Sequence, residues 1–120
     1  MAFWLVFLGG GLGSVARYGI SILSSKFYLG KFPLGTFISN ILACILLAWI
    51  IYVLKEKVSG QPWVFPLLIT GFCGGFSTFS TWSNETFVLI ENGNYGIAIA
   101  NILLSILVGI GLIFWIKLSA

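Results

Sequence analysis

Four long apolar segments constrain this chain more than any other feature. They cover approximately residues 3–24, 33–54, 63–90 and 96–117. A helix needs about 20 mostly apolar residues to cross the hydrocarbon core of a bilayer. Only 8% of the residues are charged, whereas soluble domains contain about 25%. We therefore predict one all-α integral membrane domain over residues 1–120, with four transmembrane helices joined by short polar connections.

Few side chains in this sequence are suited to acid–base or metal chemistry. There is no histidine, and the only carboxylates are Glu56, Glu85 and Glu91. Cys44 and Cys73 lie far apart among apolar residues, without the spacing of a metal site, and are interpreted as packing thiols. Catalysis by a Ser-His-Asp arrangement or a histidine metal site therefore has no residues to carry it. We predict that the protein is not an enzyme.

The basic residues of the predicted connections are nearly balanced between the two membrane faces. With four spans, one face holds Lys55, Lys57 and Lys117, and the other holds Lys26 and Lys31. An excess of Lys and Arg marks the cytoplasmic side, and three against two is a weak bias. Insertion in both orientations and insertion with both termini in the cytoplasm therefore both remain open. The first segment lacks the charged lead and cleavage site of a signal peptide and is interpreted as part of the fold.

The stretch GFCGGFSTFSTW, residues 71–82, interrupts the third apolar segment with glycines and hydroxyl side chains. We expect the glycines to break the helix and to free backbone groups that need partners in protein, water or ions. Phe76, Phe79 and Trp82 recur every three residues and are expected to share one face after the break. Aromatic ring edges are weakly positive, and beside hydroxyls they suit a small anion. The alternative is a glycine-rich packing site with core aromatics.

Two polar side chains lie within the first two predicted spans. Arg17 either anchors the first span at the interface or pairs with a carboxylate of another helix. Glu85 is one such carboxylate, and it could equally be a surface charge. Asn40 either makes a helix–helix hydrogen bond or has a functional role.

Small and polar residues form two helix faces. Gly9 and Gly13 have the GxxxG spacing of a helix-packing face. Asn101, Ser105 and Gly109 share one face of the fourth span. That second face could pack against another helix or line a narrow wet path.

Taken together, these segments resemble the CrcB/Fluc family of fluoride channels over nearly the whole chain. The matching pieces are GGGLGSVARY, PLGTFISN, GFCGGFSTFSTW followed by Glu85, and NILLSILVG. Their order and spacing are far more specific than any one glycine motif. The resemblance implies a fluoride-selective channel in a bacterial plasma or inner membrane, which lets the toxic anion leave the cytoplasm.

The resemblance also implies an assembly. Members of this family are antiparallel, dual-topology homodimers, with two narrow anion paths along the subunit interface. A structural sodium ion lies at the centre of that interface. It is held by backbone carbonyls at positions that correspond to Gly74 and Ser77. Ser77 replaces the usual Thr, a change that a backbone contact should survive.

The resemblance assigns several side chains by position. Asn40 is expected to donate a hydrogen bond on the fluoride path, and Phe79 corresponds to the first of two phenylalanines whose ring edges face the anion. The second position holds Trp82, a bulkier ring with an N–H donor. Hydroxyls expected along the path are those of Ser80, Thr81 and Ser105. Residues expected in a vestibule or in a structural role are Arg17, Glu85 and Asn101.

Two other functions remain open. A small dual-topology multidrug exporter-like transporter would need an ionisable carboxylate deep in a span, but the first span has none and Glu85 lies beyond the predicted break. A non-transporting membrane assembly subunit would pass no ions in liposomes.

Overall fold

The computed structural model describes residues 2–120, which form helices and contain no strand. The first half contains α1 (Phe3–Phe27), α2 (Leu34–Ala48), a π-helical turn (Trp49–Val53) and the short α3 (Lys55–Val58). The second half contains a π-helical segment (Phe65–Cys73), α4 (Gly74–Phe76), α5 (Phe79–Glu91) and α6 (Tyr95–Ser119). The prediction of an all-α chain is confirmed, and the predicted connection after the second span contains the short α3.

Three stretches of helix are long and apolar enough to cross a bilayer. They are Phe3–Phe27, Leu34–Val53 and Tyr95–Ser119, with mean hydropathies of 1.3, 2.2 and 2.7. These helices make the chain a multi-pass membrane protein. The remaining predicted span, residues 63–90, is not one continuous helix but a π-helical segment followed by α4 and α5. Four transmembrane helices therefore stay a prediction.

Two contacts fix which helix ends lie together. Lys31 Nζ donates to Asn94 Oδ1 at 3.4 Å, which joins the connection after α1 to the connection after α5. Lys117 Nζ lies 5.5 Å from the centre of the Tyr52 ring, which joins the end of α6 to the end of the second span. The lysines accordingly divide between the two ends of the molecule, as the order of the spans predicts.

Glycines allow α1 to pack directly on the backbone of the interrupted segment. A Cβ atom at Gly9 or Gly13 would collide with backbone carbonyl oxygens of that segment, which for Gly13 is the oxygen of Phe72. On the facing side, a Cβ atom at Gly75 would collide with the backbone of Gly10. Helices in lipid associate through such close backbone approach. The predicted packing face at Gly9 and Gly13 is confirmed.

The interruption lies at Ser77 and Thr78, C-terminal to the glycines. Ser77 has φ −83° and ψ 159°, and Thr78 has φ −150° and ψ 122°, so both are extended. The three glycines of this stretch lie within helical turns. The expectation that glycines break the helix is therefore wrong, because all three remain helical and Gly71 and Gly75 serve the packing against α1. The break falls instead on two hydroxyl residues.

The core of the chain is small, and much apolar surface faces outward. The buried apolar residues are Ala43, Ala48, Ile50, Val64, Cys73, Phe76, Leu89 and Ala98. Phe76 stacks on Phe72 with ring centres 5.5 Å apart. It is 6% exposed whereas Phe79 is 77% exposed, so Phe76 does not share a face with Phe79 and Trp82, and that expectation is wrong. The extended residues 77 and 78 interrupt the helical periodicity on which it was based.

Candidate functional site

Asn40 of α2 bridges the interruption with its side-chain amide. The Thr78 N–H donates to Asn40 Oδ1 at 2.7 Å, and Asn40 Nδ2 donates to the Thr78 carbonyl at 3.2 Å. In an uninterrupted α-helix the Thr78 N–H would bond to the carbonyl four residues earlier, that of Gly74. The Gly74 carbonyl has therefore lost its regular donor to the Asn40 side chain.

One turn later, a side-chain oxygen again replaces a backbone carbonyl as the acceptor of a helix N–H. The Thr81 N–H donates to Thr78 Oγ1 at 3.3 Å, an N-cap that begins α5. Its regular helical partner would have been the Ser77 carbonyl. Within residues 2–120, that carbonyl accepts no hydrogen bond. The carbonyls of residues 74–77 all lose their regular donors at the break, and Gly74 and Ser77 among them occupy the positions that the family resemblance assigns to a cation.

Phe79 and Trp82 lie together after the break. Their ring centres are 5.6 Å apart and the planes are inclined by 35°. Phe79 is 77% exposed on the protomer surface, whereas Trp82 is half-buried. Both rings line an open cavity of about 330 Å³, called here the Trp82 cavity. Its other polar lining residues are Asn40, Ser77, Thr78 and Ser105.

Behind the Trp82 ring, four hydrogen bonds form a closed ring between α5 and α6. Trp82 Nε1 donates to Ser105 Oγ at 3.1 Å, and Ser105 Oγ donates to Asn101 Oδ1 at 3.3 Å. Asn101 Nδ2 donates to Thr86 Oγ1 at 2.9 Å, and Thr86 Oγ1 donates to the Trp82 carbonyl at 2.8 Å. Asn101 is fully buried, so its contacts are made inside this chain. Sequence reasoning missed Thr86, although its position one helical turn after Trp82 was a usable signal.

Arg17 and Glu85 line a second, smaller cavity of about 90 Å³, called here the Arg17 cavity. Arg17 Nε donates to the Gly75 carbonyl at 3.0 Å, just before the interruption. No hydrogen bond or ion pair joins Arg17 to Glu85 in the part of the chain that the structure describes. Instead, Glu85 Oε1 and the buried Ser39 Oγ have no hydrogen-bond partner. The cavity therefore contains buried polar atoms that have no hydrogen-bond partner within residues 2–120 and are free to form a hydrogen bond.

The cavities adjoin one another. The Arg17 cavity shares Thr78 with the Trp82 cavity. At its other side it shares Glu85, Thr36 and Ser21 with a third cavity of about 140 Å³, which reaches the connection after α1. A series of polar spaces therefore runs from that end of the molecule to the interruption.

The family is decided by comparison of the whole chain. The family model described as CrcB-like protein, Camphor Resistance (CrcB), matches residues 4–116. The chain belongs to the CrcB family. The resemblance inferred from the sequence motifs is thereby confirmed, and it covers every residue of the site.

Relatives of this CrcB chain include several proteins named fluoride-specific ion channel FluC. The one from Coxiella burnetii is 47% identical over 104 residues, which cover 85% of this chain and 83% of the relative. The one from Pyrococcus horikoshii is 46% identical over 110 residues, covering 92% and 88%. The one from Flavobacterium psychrophilum is 40% identical over 103 residues, covering 86% and 83%.

Within this CrcB chain, the predicted site residues fall into separate groups. The Trp82 cavity brings together Asn40, Ser77, Phe79, Trp82 and Ser105, and the Arg17 cavity brings together Arg17, Thr81 and Glu85. Ser80 is exposed in the first turn of α5 and lines neither cavity. Ser39 is a further residue that sequence reasoning missed, although Thr36 and Ser39 are three residues apart on the buried face of α2.

Proposed function

We propose that this chain is a fluoride-selective channel of the bacterial plasma or inner membrane, active as an antiparallel homodimer, through which fluoride leaves the cytoplasm. The names of its relatives supply the ion. The observation that carries the proposal is the Trp82 cavity, where an amide and two aromatic rings meet beside interrupted backbone.

Asn40 combines a structural and a binding role. Its side-chain nitrogen has two protons, and one of them is donated to the Thr78 carbonyl. The second has no partner within residues 2–120 and is available to an anion in the Trp82 cavity. Transfer of an unpaired ion from water into hydrocarbon costs tens of kcal/mol by a Born estimate. Hydrogen-bond donors along the path must offset a free energy of about this size. The Asn40 donor and the ring edges replace part of the water shell of fluoride without binding it too tightly to leave.

The adjoining cavities supply a route for the ion. Arg17 uses its Nε proton on the Gly75 carbonyl and keeps four further N–H groups for the Arg17 cavity. The guanidinium attracts an anion to this cavity, the Glu85 side chain that lines the same cavity opposes that attraction, and the free N–H donors of Arg17 are what favours entry from the connection after α1. Thr81 and Thr78 lie between that entry and the Trp82 cavity.

A second copy is needed to complete the path. The Trp82 cavity is open on the outer surface of the protomer, and Phe79 is largely exposed there. A partner related by a two-fold axis in the membrane plane would cover this opening and place the two interruptions side by side. The nearly even division of lysines between the two ends, three against two, is compatible with insertion in both orientations.

The Gly74 and Ser77 carbonyls fit a structural sodium ion at that two-fold axis. Hard cations prefer oxygen ligands, and both carbonyls have lost their regular helical donors. When bound, the ion would supply the positive charge that compensates these carbonyl dipoles in both subunits. Its role in this proposal is to join the subunits, and it is not transported.

The decisive experiment is fluoride efflux from proteoliposomes loaded with potassium fluoride. A fluoride electrode follows release after valinomycin is added to carry the compensating charge, and chloride-loaded vesicles serve as the control. We expect rapid fluoride release with little chloride release. A multidrug exporter would instead couple substrate movement to the pH gradient, and an assembly subunit would release neither anion.

Orientation is tested with single cysteines introduced at opposite ends, at Lys31→Cys and at Lys57→Cys, in a background in which Cys44 and Cys73 are replaced by Ala. A membrane-impermeant maleimide is applied to intact cells. In a dual-topology dimer, each variant is labelled on part of its molecules and protected on the rest. Complete labelling of one variant with complete protection of the other would contradict antiparallel assembly.

A further inference from the structure

The ring of hydrogen bonds behind the Trp82 indole has a fixed direction. The Trp82 carbonyl can only accept and the indole N–H can only donate. The Thr86 hydroxyl donates to that carbonyl, so its oxygen is left to accept from the Asn101 amide. The carbonyl oxygen of Asn101 therefore faces Ser105 and accepts the Ser105 proton.

This direction determines what the ring presents to the Trp82 cavity. Ser105 has one proton, and it is committed to Asn101. Ser105 therefore offers the cavity only lone pairs, which do not stabilise an anion. Asn101 and Thr86 are 0% and 7% exposed, so their protons cannot reach the cavity. Among the protons of this hydrogen-bond ring, only those of Ser105 and of the Trp82 indole belong to residues that line the cavity. The Ser105 proton holds Asn101 in place, so the indole N–H is the one that is free to leave its partner.

We propose that the Trp82 indole N–H is a releasable donor for fluoride, and that Thr86 and Asn101 are positioning residues that set how readily it leaves Ser105. The inference rests on the proposed fluoride path. A hydrogen bond to a charged acceptor is roughly twice as strong as one to a neutral acceptor. A fluoride ion in the cavity therefore competes with the Ser105 hydroxyl for this proton. Ser105 keeps its bond to Asn101 meanwhile, so the indole returns to a fixed acceptor when the ion departs.

The indole proton can be observed directly. Protein labelled with ¹⁵N-tryptophan has five indole resonances, one for each Trp. The resonance of Trp82 is assigned by its absence in the Trp82→Phe variant. The labelled dimer in lipid nanodiscs is titrated with sodium fluoride and, separately, with sodium chloride. We expect fluoride to move the Trp82 proton resonance downfield in a saturable way, chloride to leave it unchanged, and the other four resonances to stay in place.

The positioning role is tested by two variants at one residue. Thr86→Val removes the hydroxyl that orients Asn101, and Thr86→Ser keeps it. We expect the fluoride midpoint of the Trp82 shift to fall about threefold to tenfold in Thr86→Val, the effect of weakening one neutral hydrogen bond. Thr86→Ser and the exposed Trp115→Phe should retain the wild-type midpoint. If Thr86→Val fails to fold, Ser105→Ala removes the competing acceptor and should lower the midpoint in the same way.

The outcomes separate this inference from the proposed function. Fluoride efflux together with an unmoved Trp82 resonance in the wild-type protein would overturn the donor role. A shift with equal midpoints in Thr86→Val and Thr86→Ser would overturn the positioning role. A fluoride-specific shift in a protein that releases no fluoride from liposomes would keep the binding role and refute the channel.

Discussion

The side chain of Asn40 holds Thr78 by both its N–H and its carbonyl, at 2.7 and 3.2 Å. This pair fixes the interrupted backbone to α2, and Asn40 also lines the Trp82 cavity. One side chain therefore determines both the shape of the break and a donor beside it.

Asn40→Asp removes the amide donor, and with it one of the two hydrogen bonds to Thr78. The carboxylate can still accept from the Thr78 N–H, but it has no proton for the anion and adds a like charge. Because juxtaposed like charges cost several kcal/mol, we expect fluoride efflux to fall by more than about tenfold. Efflux from proteoliposomes is compared with that of Asn84→Asp, which makes the same charge change at an exposed position of α5. Wild-type efflux in Asn40→Asp would remove this residue from the path.

Phe79→Leu tests the ring edge. Phe79 is 77% exposed in the protomer, so the change should alter the stability of the protomer by no more than about 0.5 kcal/mol. We expect fluoride efflux to fall at least tenfold, roughly the loss of one contact of 1.4 kcal/mol or more. Phe87→Leu, 58% exposed on the same helix, is the matched control. Equal efflux from the two variants would argue against a role for the Phe79 ring.

Trp82→Phe should conduct at least as fast as the wild type, with half-saturation at a higher fluoride concentration. The variant keeps a ring edge but loses the N–H that is proposed to hold the ion. It also leaves Ser105 without its donor, which should cost about 0.5–1.5 kcal/mol in thermal unfolding. Efflux is measured over a range of internal fluoride concentrations. Loss of conduction in this variant would show that the indole N–H is indispensable.

Gly13→Ala should destabilise the fold by about 1–3 kcal/mol or more, because its Cβ atom would collide with the Phe72 carbonyl oxygen. Gly11→Ala is the matched control two residues away, since a Cβ atom there meets nothing within 4 Å. In a helix interior, Ala is more favourable than Gly by up to about 1 kcal/mol, so this control should be neutral or stabilising. Thermal unfolding followed by circular dichroism compares the two variants. Similar melting temperatures would contradict the close packing of α1.

Removal of sodium should weaken the proposed dimer. A ligand that binds only the folded assembly stabilises it in proportion to the logarithm of its concentration, by about 2.7 kcal/mol at a hundred times its dissociation constant. Melting temperature and dimer fraction are measured in sodium chloride and in N-methylglucamine chloride at equal ionic strength. Identical values in the two salts would refute a sodium ion held by Gly74 and Ser77.

Sequence reasoning located the helices well because each depends on a local run of apolar residues. The predicted bounds 3–24 and 96–117 correspond to Phe3–Phe27 and Tyr95–Ser119. The same reasoning misplaced the break. Glycine is a weak helix former, but Gly75 lies against the backbone of α1 and remains helical. The break falls at Thr78, whose N–H bonds to the side chain of Asn40 and not to a backbone carbonyl. Asn40 is 38 residues away in the sequence.

The site could be predicted only in part from the sequence, because it too depends on contacts between residues far apart in the chain. Asn40, Phe79 and Trp82 were identified individually, and the structure adds that they line one cavity. Thr86 and Ser39 were missed because their spacing from Trp82 and Thr36 indicates a shared helix face, whereas their burial and their partners depend on how the helices pack. Asn101 was left between a vestibule and a structural role, and its two side-chain hydrogen bonds within the protomer support the structural one.

The sequence by itself determined that this chain is helical and lies in a membrane, because the free energy of placing apolar and charged side chains in lipid depends on residue type alone. It also determined the family, through the order of short motifs. Only the tertiary structure decided where the third segment breaks, which carbonyls lose their helical donors, and which way the protons behind Trp82 point. Those features depend on hydrogen bonds between residues far apart in the chain, and their energy exists only once the helices have packed.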